Sequence, residues 1–340
     1  MYAKIIKEIK SGLTGDSKHD IAYLNNVAEE YRNHELNREI IREIGRMMAY
    51  IMTDEDWESF AKAMEKDKKV REELLTQARK NTYRGDLEGA ANLYREIIED
   101  IEKTDLYVDD SQSIYREFAE PFEHILFLYF FQPEREVRVP GMELDSIYHE
   151  YGSLMMELKQ YEEAEGALAK AIKWNPVNSD IRLEYEELFK VVGDMDALLE
   201  FAIDTLRVSF CPENIAKALR DIAYSMIEKK EYYDAAVCLT SSLGYDSDSD
   251  NAYSEMKYIE SVSNVRIEDI DFEDMDMIEE KYGFMPAVNK EILDILYDAG
   301  QKAYGDEDYD VAYYFYGIIY NLTEDSDIEE ILIGLKAKLS

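Results

Sequence analysis

The chain has 340 residues, of which 46% are hydrophobic, 12% aromatic and 33% charged. That is enough apolar material for one elongated domain or two compact ones, and too much for a wholly disordered chain. Seventy-five acidic against 38 basic side chains leave a formal charge of -37, which repels phosphate backbones and anionic membrane surfaces and argues against nucleic acid or membrane as partner.

Six prolines, 15 glycines and no sustained apolar–polar alternation predict an all-α chain with brief breaks. The N-terminal segment MYAKIIKEIK interleaves charges with apolar residues, and the longest apolar run, Ile125 to Phe131, is far below the roughly 20 residues of a membrane span. Cys211 and Cys238 cannot build a disulfide framework, and His19, His34, His124 and His149 show no zinc-ligand spacing with them. No metal and no cofactor is expected, and a reducing cytoplasm is the default address.

Residues 1–70 carry helical periodicity through Leu36, Ile40, Ile41, Ile44, Met47, Met48 and Ile51, with a helix start at Thr53 and Asp56 three residues on. They are read as an N-terminal helical cap or extension, and 71–340 as a helical repeat domain. Residues 1–84 hold 16 basic and 16 acidic side chains, so the whole charge excess lies beyond them.

Residues 71–104 offer Leu74, Ala78, the turn Gly85-Asp86-Leu87, then Ala90, Tyr94 and Ile97. A helix from Ser111 to Phe131 and a loop from Gln132 to Gly141 follow. Residues 145–178 place Tyr148, Tyr151, Gly152 and Met155 on one helix, then Tyr161, Ala164, Leu168, Ala171 and Pro176. Small Gly152 and Ala164 let two antiparallel helices approach, large residues fill between pairs, and Pro176 stops the second helix. Residues 179–212 offer Tyr185, Phe189, the turn Gly193-Asp194, Leu198 and Ala202, with Pro212 closing. Residues 216–249 offer Leu219, Ile222, Ala223, Met226, Tyr232, Ala235 and Leu239. Helices near 251–263 and 267–282 precede a last copy at 293–326, with Leu296, Ala299, Gly300, Ala303, Tyr309, Ala312, Tyr316 and Ile319.

This pattern resembles the tetratricopeptide repeat, a 34-residue helix–turn–helix unit, over roughly residues 71–326. The anchors Ala90, Ala164, Leu198, Ala235 and Ala312 stand 74, 34, 37 and 77 residues apart, that is, at single and double steps. The resemblance implies a right-handed superhelical solenoid of antiparallel helix pairs whose first helices line a concave groove. It also implies groove positions. Transferred to this chain they are Ser146, His149, Glu150, Ser153 and Glu157; Asp180, Glu184 and Glu187; Lys217, Arg220, Asp221 and Tyr224; and Asp294, Tyr297, Asp298, Gln301 and Tyr304. Such a groove is acidic and partly aromatic. The chaperone-binding clamp of the family is not reproduced, since of His149, Ser153, Glu184, Lys217 and Asp221 only Lys217 agrees with it.

Other constellations are weaker. Asp246, Asp248 and Asp250 open like a calcium loop, but Asn251 stands where glycine is needed and Lys257 where glutamate is needed; an inter-helix loop is the better reading. The acidic run 268–280 suits a surface helix. No nucleophile elbow, phosphate loop or metalloprotease motif occurs. The expectation is therefore a non-enzymatic interaction scaffold that binds a basic or amphipathic segment of a partner protein. The alternatives are a signal-peptide receptor that changes curvature on binding, and a hydrolase, which would need carboxylates with raised pKa values in a pocket.

Overall fold

The structure, a computed structural model, describes residues 1–104, 107–271 and 273–339, and within them the side chains outside 55–56, 59–61 and 63–67. Nearly all of it is helix: α1 (Tyr2–Ser11), α2 (Ser17–Glu30), α3 (Asn37–Ile51), α4 (Asp54–Tyr83), α5 (Leu87–Glu102), α6 (Pro121–Phe131), α7 (Leu144–Glu157), α8 (Tyr161–Trp174), α9 (Ser179–Val192), α10 (Met195–Val208), α11 (Pro212–Glu228), α12 (Tyr232–Leu243), α13 (Asp250–Val262), α14 (Glu273–Tyr282), α15 (Lys290–Gly305), α16 (Tyr309–Thr323) and α17 (Ser326–Leu339). The all-α reading misses two short strands, β1 (Ser113–Tyr115) and β2 (Glu136–Arg138). No described helix is long and apolar enough to cross a membrane.

Two compact units form, one of residues 1–117 with 133–142 and one of 118–132 with 143–340. Neither ends at residue 70, because α4 runs unbroken through it. In the first unit, α1, α2 and α3 bury Ile6, Ile9, Leu24, Val27, Ile40, Ile44 and Met47 against one another. Ile41, on the other side of α3, is exposed. Thr53 does precede α4, its carbonyl accepting from the Trp57 amide, while the side chain of Asp56 lies outside those described.

The helix expected from Ser111 starts instead at Pro121, for a local reason. The amides that a helix would use are already taken: Asp110 accepts from Gln112 and Ser113 (both 2.8 Å), Asp109 from Tyr115 (2.9 Å), and Glu39 of α3 from Ser111. Arg42 of α3 adds an ion pair to Asp110, and the extended stretch pairs in parallel with β2, Ile114 opposite Val137. Expected as loop throughout, 132–141 thus contributes a strand. Glu120 and Glu123 then form a reciprocal cap around Pro121 at the start of α6.

The repeat pattern is expressed in the turns. In each of the pairs α4–α5, α7–α8, α9–α10, α11–α12 and α15–α16 one residue takes a left-handed conformation at the same repeat position: Gly85, Lys159, Gly193, Lys230 and Glu307 (φ 59 to 77°). The next amide reaches back to the first helix in all five: Asp86 to Asn81, Gln160 to Met155, Asp194 to Phe189, Glu231 to Met226 and Asp308 to Ala303, at 2.8–3.0 Å. This is the Schellman closure of a helix C-terminus. Asp86, Asp194 and Asp308 also cap the second helix through their side chains.

Packing within the pairs follows. Ala90, Ala164, Leu198, Ala235 and Ala312 are fully buried. A Cβ on Gly152 would stand 2.6 Å from Leu168 Cγ, and one on Gly300 3.1 Å from the Tyr316 ring, so both glycines mark close helix approach at one repeat position. Phe122 of α6 packs edge-on against Phe210 and Phe315 in the second unit. Asn175 after α8 donates to Glu123 of α6 and Asp145 of α7 at 2.9 and 3.0 Å. Three expectations need correction. Pro212 is the first residue of α11, where its missing amide costs nothing, and α10 stops before it at Val208. The helix expected over 267–282 is a short 3-10 turn, Ile267–Asp269, followed by α14. Of the two tyrosines that the last repeat copy places in the core of α16, Tyr316 is buried but Tyr309 is only half-buried.

Candidate functional site

Helices α9, α11 and α13 are the first helices of successive repeat windows that begin at 179, 216 and 250, at steps of 37 and 34 residues. Side chains of the three line one open cavity of about 590 Å³: Glu187 and Lys190 from α9; Lys217, Arg220, Asp221 and Tyr224 from α11; Asn251, Ser254 and Glu255 from α13.

The charges are arranged in alternation. Lys190 Nζ donates to Glu187 (2.9 Å) and Asp221 (2.7 Å), and Lys217 Nζ donates to the same two carboxylates at 2.7 and 3.1 Å. Burial works against the Glu187 carboxylate, but the Lys217 and Lys190 ammonium groups outweigh it and hold its pKa below the usual range. Lys217 is correspondingly raised: Asp221 and Glu187 overcome its own burial. Arg220 pairs with Asp246 in the α12–α13 loop at 2.9 Å.

Two carboxylates stand outside this balance. Glu255 has an Oε2 atom that is buried and has no hydrogen-bond partner among the described residues; burial, and then the Asp221 charge, push its pKa up to about 7 against the opposing pull of Lys190 and Arg220. Glu186 lies behind the cavity, fully buried, at the repeat position held elsewhere by Ala78, Gly152, Ala223 and Gly300. It fits because its partner across the helix pair, Ala202, is small where the other pairs carry Tyr94, Leu168, Leu239 and Tyr316. Thr205 Oγ1 donates to Glu186 Oε1, and Arg182 Nε donates to Thr205 Oγ1 at 3.3 Å. Glu186 Oε2 has no partner among the described residues. Burial and the neighbouring Asp221 raise its pKa well above the ordinary carboxylate value.

Of the residues placed in the groove by sequence, Glu187, Lys217, Arg220, Asp221 and Tyr224 come together here, and Asp221 is buried. Ser146, His149, Glu150 and Ser153 on α7 are half-buried and Glu157 exposed, none lining the cavity. Asp180 at the start of α9 accepts from Asn214 at 2.9 Å, and Glu184 is half-buried. Asp294, Tyr297, Asp298, Gln301 and Tyr304 form an exposed face of α15, with Lys338 of α17 over the Tyr304 ring at 5.0 Å. The cavity is not the plainly acidic surface that formal charge suggests, since two lysines sit between its carboxylates. Asn251, Ser254 and Glu255 were not placed in the groove by sequence, although counting one more 34-residue step from 216 reaches them. Glu186 carries no such signal beyond a charged residue at a small-residue position.

No family model and no curated protein matches the chain. Among solved structures it is similar to the crystal structure of the TPR domain of P58(IPK), with 14% identity over 96% of this chain and 84% of that one, at a TM-score of 0.32.

Proposed function

We propose that the chain is a non-enzymatic interaction scaffold that holds a basic or amphipathic segment of a partner protein on the first-helix face of its second unit. The observation that supports this is the cavity shared by α9, α11 and α13, which converts an internal repeat into one binding surface. The same helix positions carry Glu150, Glu157, Asp180 and Glu184, so a cationic segment is drawn in by charge before it makes contact. Titration of a labelled basic amphipathic peptide and of an acidic peptide of equal length, read by fluorescence anisotropy, tests it. The basic peptide is expected to bind and to lose affinity with salt, because exposed charges are screened over about 8 Å at physiological ionic strength. Joint Glu150→Lys and Glu184→Lys reversal should weaken binding about tenfold, and Glu268→Lys with Glu273→Lys should not. Equal losses from both pairs would reduce the effect to net charge and remove the reading.

A carboxylate hydrolase is the second reading, favoured by one feature: burial and the Asp221 charge push the Glu255 carboxyl up to about 7 in the ionic cavity it lines. Against it, the cavity's other carboxylates are held as ion-paired anions: Asp221 gives one oxygen to each lysine, and Glu187 Oε1 accepts from both.

A further inference from the structure

We propose that the cavity between α9, α11 and α13 is an arginine pocket, in which a partner's guanidinium pairs with Glu255 and lies against Tyr224. This rests on the scaffold reading and narrows it to one side-chain class.

Lys190 and Lys217 are satisfied by Glu187 and Asp221, and Arg220 by Asp246. What remains is the carboxylate of Glu255, whose Oε2 lacks a donor among the described residues. Burial and the neighbouring Asp221 charge favour the protonated Glu255 carboxyl, and a cation placed there would replace the proton. Mutual repulsion does not forbid a further cation, because the lysine and arginine charges are each matched by a carboxylate within 3.1 Å.

Shape and donor count select guanidinium over ammonium. The acceptors that α13 brings to the cavity lie on a single turn: the Glu255 carboxylate, the Ser254 hydroxyl, whose own proton goes to the Asp250 carbonyl at 2.7 Å, and the Asn251 side-chain carbonyl. A planar fork of five N–H donors can reach several of these at once, whereas an ammonium is a compact point charge that is strongly hydrated. The Tyr224 ring forms the adjoining wall and already has the Lys190 ammonium 5.9 Å from its centre, a distance at which aromatic faces attract cations. A cavity of about 590 Å³ lies within the roughly 300–1,000 Å³ of ordinary ligand sites.

The test uses two amphipathic peptides of one sequence, with every cation arginine in one and lysine in the other, titrated by calorimetry into the full chain, its Glu255→Gln variant and an Asp276→Asn control. The arginine peptide is expected to bind the unmodified chain and the control about tenfold more tightly than the lysine peptide, the scale of one charge-assisted fork. With Glu255→Gln the two peptides should become equal. Equal affinities on the unmodified chain, or a preference that survives Glu255→Gln, overturn the arginine pocket and leave the scaffold standing. Failure of both peptides to bind overturns the scaffold reading, and the pocket with it.

Discussion

Glu186 shows what one residue out of pattern does to a repeat. Elsewhere its position holds alanine or glycine, and a buried carboxyl there must keep its proton or bear the cost of a desolvated charge. Because its folded pKa is raised, the folded chain holds a proton that the unfolded chain releases above about pH 4.5. Stability therefore falls as pH rises through that window, by up to about 1.4 kcal/mol per pH unit. Glu255, raised to about 7, adds to the same slope. Glu186→Gln keeps the acceptor for Thr205 and never ionises. Thermal melts should show it gaining more on the unmodified protein at pH 8 than at pH 5; an equal effect at both would mean that Glu186 is not the titrating group. The N-terminal unit responds with the opposite sign. Amides of Thr14 and Gly15 and the Thr14 hydroxyl hold Asp20 at a pKa of about 2, so its contribution is present above the ordinary carboxylate range and is lost as pH falls towards 2.

Helix pairs form the next scale, and their legibility was uneven. Gly85 and Gly193 announce left-handed turns, but Lys159, Lys230 and Glu307 adopt the same conformation with no glycine to mark it, held there by the backbone closure that follows. Gly152 and Gly300 were readable as close-approach residues, yet they are not equivalent. Alanine at 152 forces its Cβ into the buried Leu168 at 2.6 Å, an overpacking cost of about 1–3 kcal/mol that exceeds the roughly 1 kcal/mol helix-propensity gain. At 300 the Cβ meets the Tyr316 ring at 3.1 Å, and the two effects nearly cancel. Urea unfolding should rank Gly152→Ala as clearly destabilising and Gly300→Ala as close to neutral; the reverse order would contradict the register. The stretch before α6 was misread as helix because its amides are claimed by Asp109, Asp110 and Glu39, and Glu39 stands 72 residues away, beyond any periodicity.

For the whole molecule, formal charge was a poor guide to the site. An excess of -37 says nothing of how Lys190 and Lys217 interleave with Glu187 and Asp221, since that pairing needs two helices in register. Repeat arithmetic was the better guide: it placed Lys217, Arg220, Asp221 and Tyr224 on one face, and one further step of 34 would have reached Glu255. Helix α4 runs across residue 70. Hydrogen–deuterium exchange of the full chain with and without the arginine peptide tests partner docking on α9, α11 and α13. Bound peptide should slow exchange in α9, α11 and α13 while α14 and the N-terminal helices α1–α3 keep their rates. Protection confined to α14 or to α1–α3, with none in α9, α11 and α13, would contradict it.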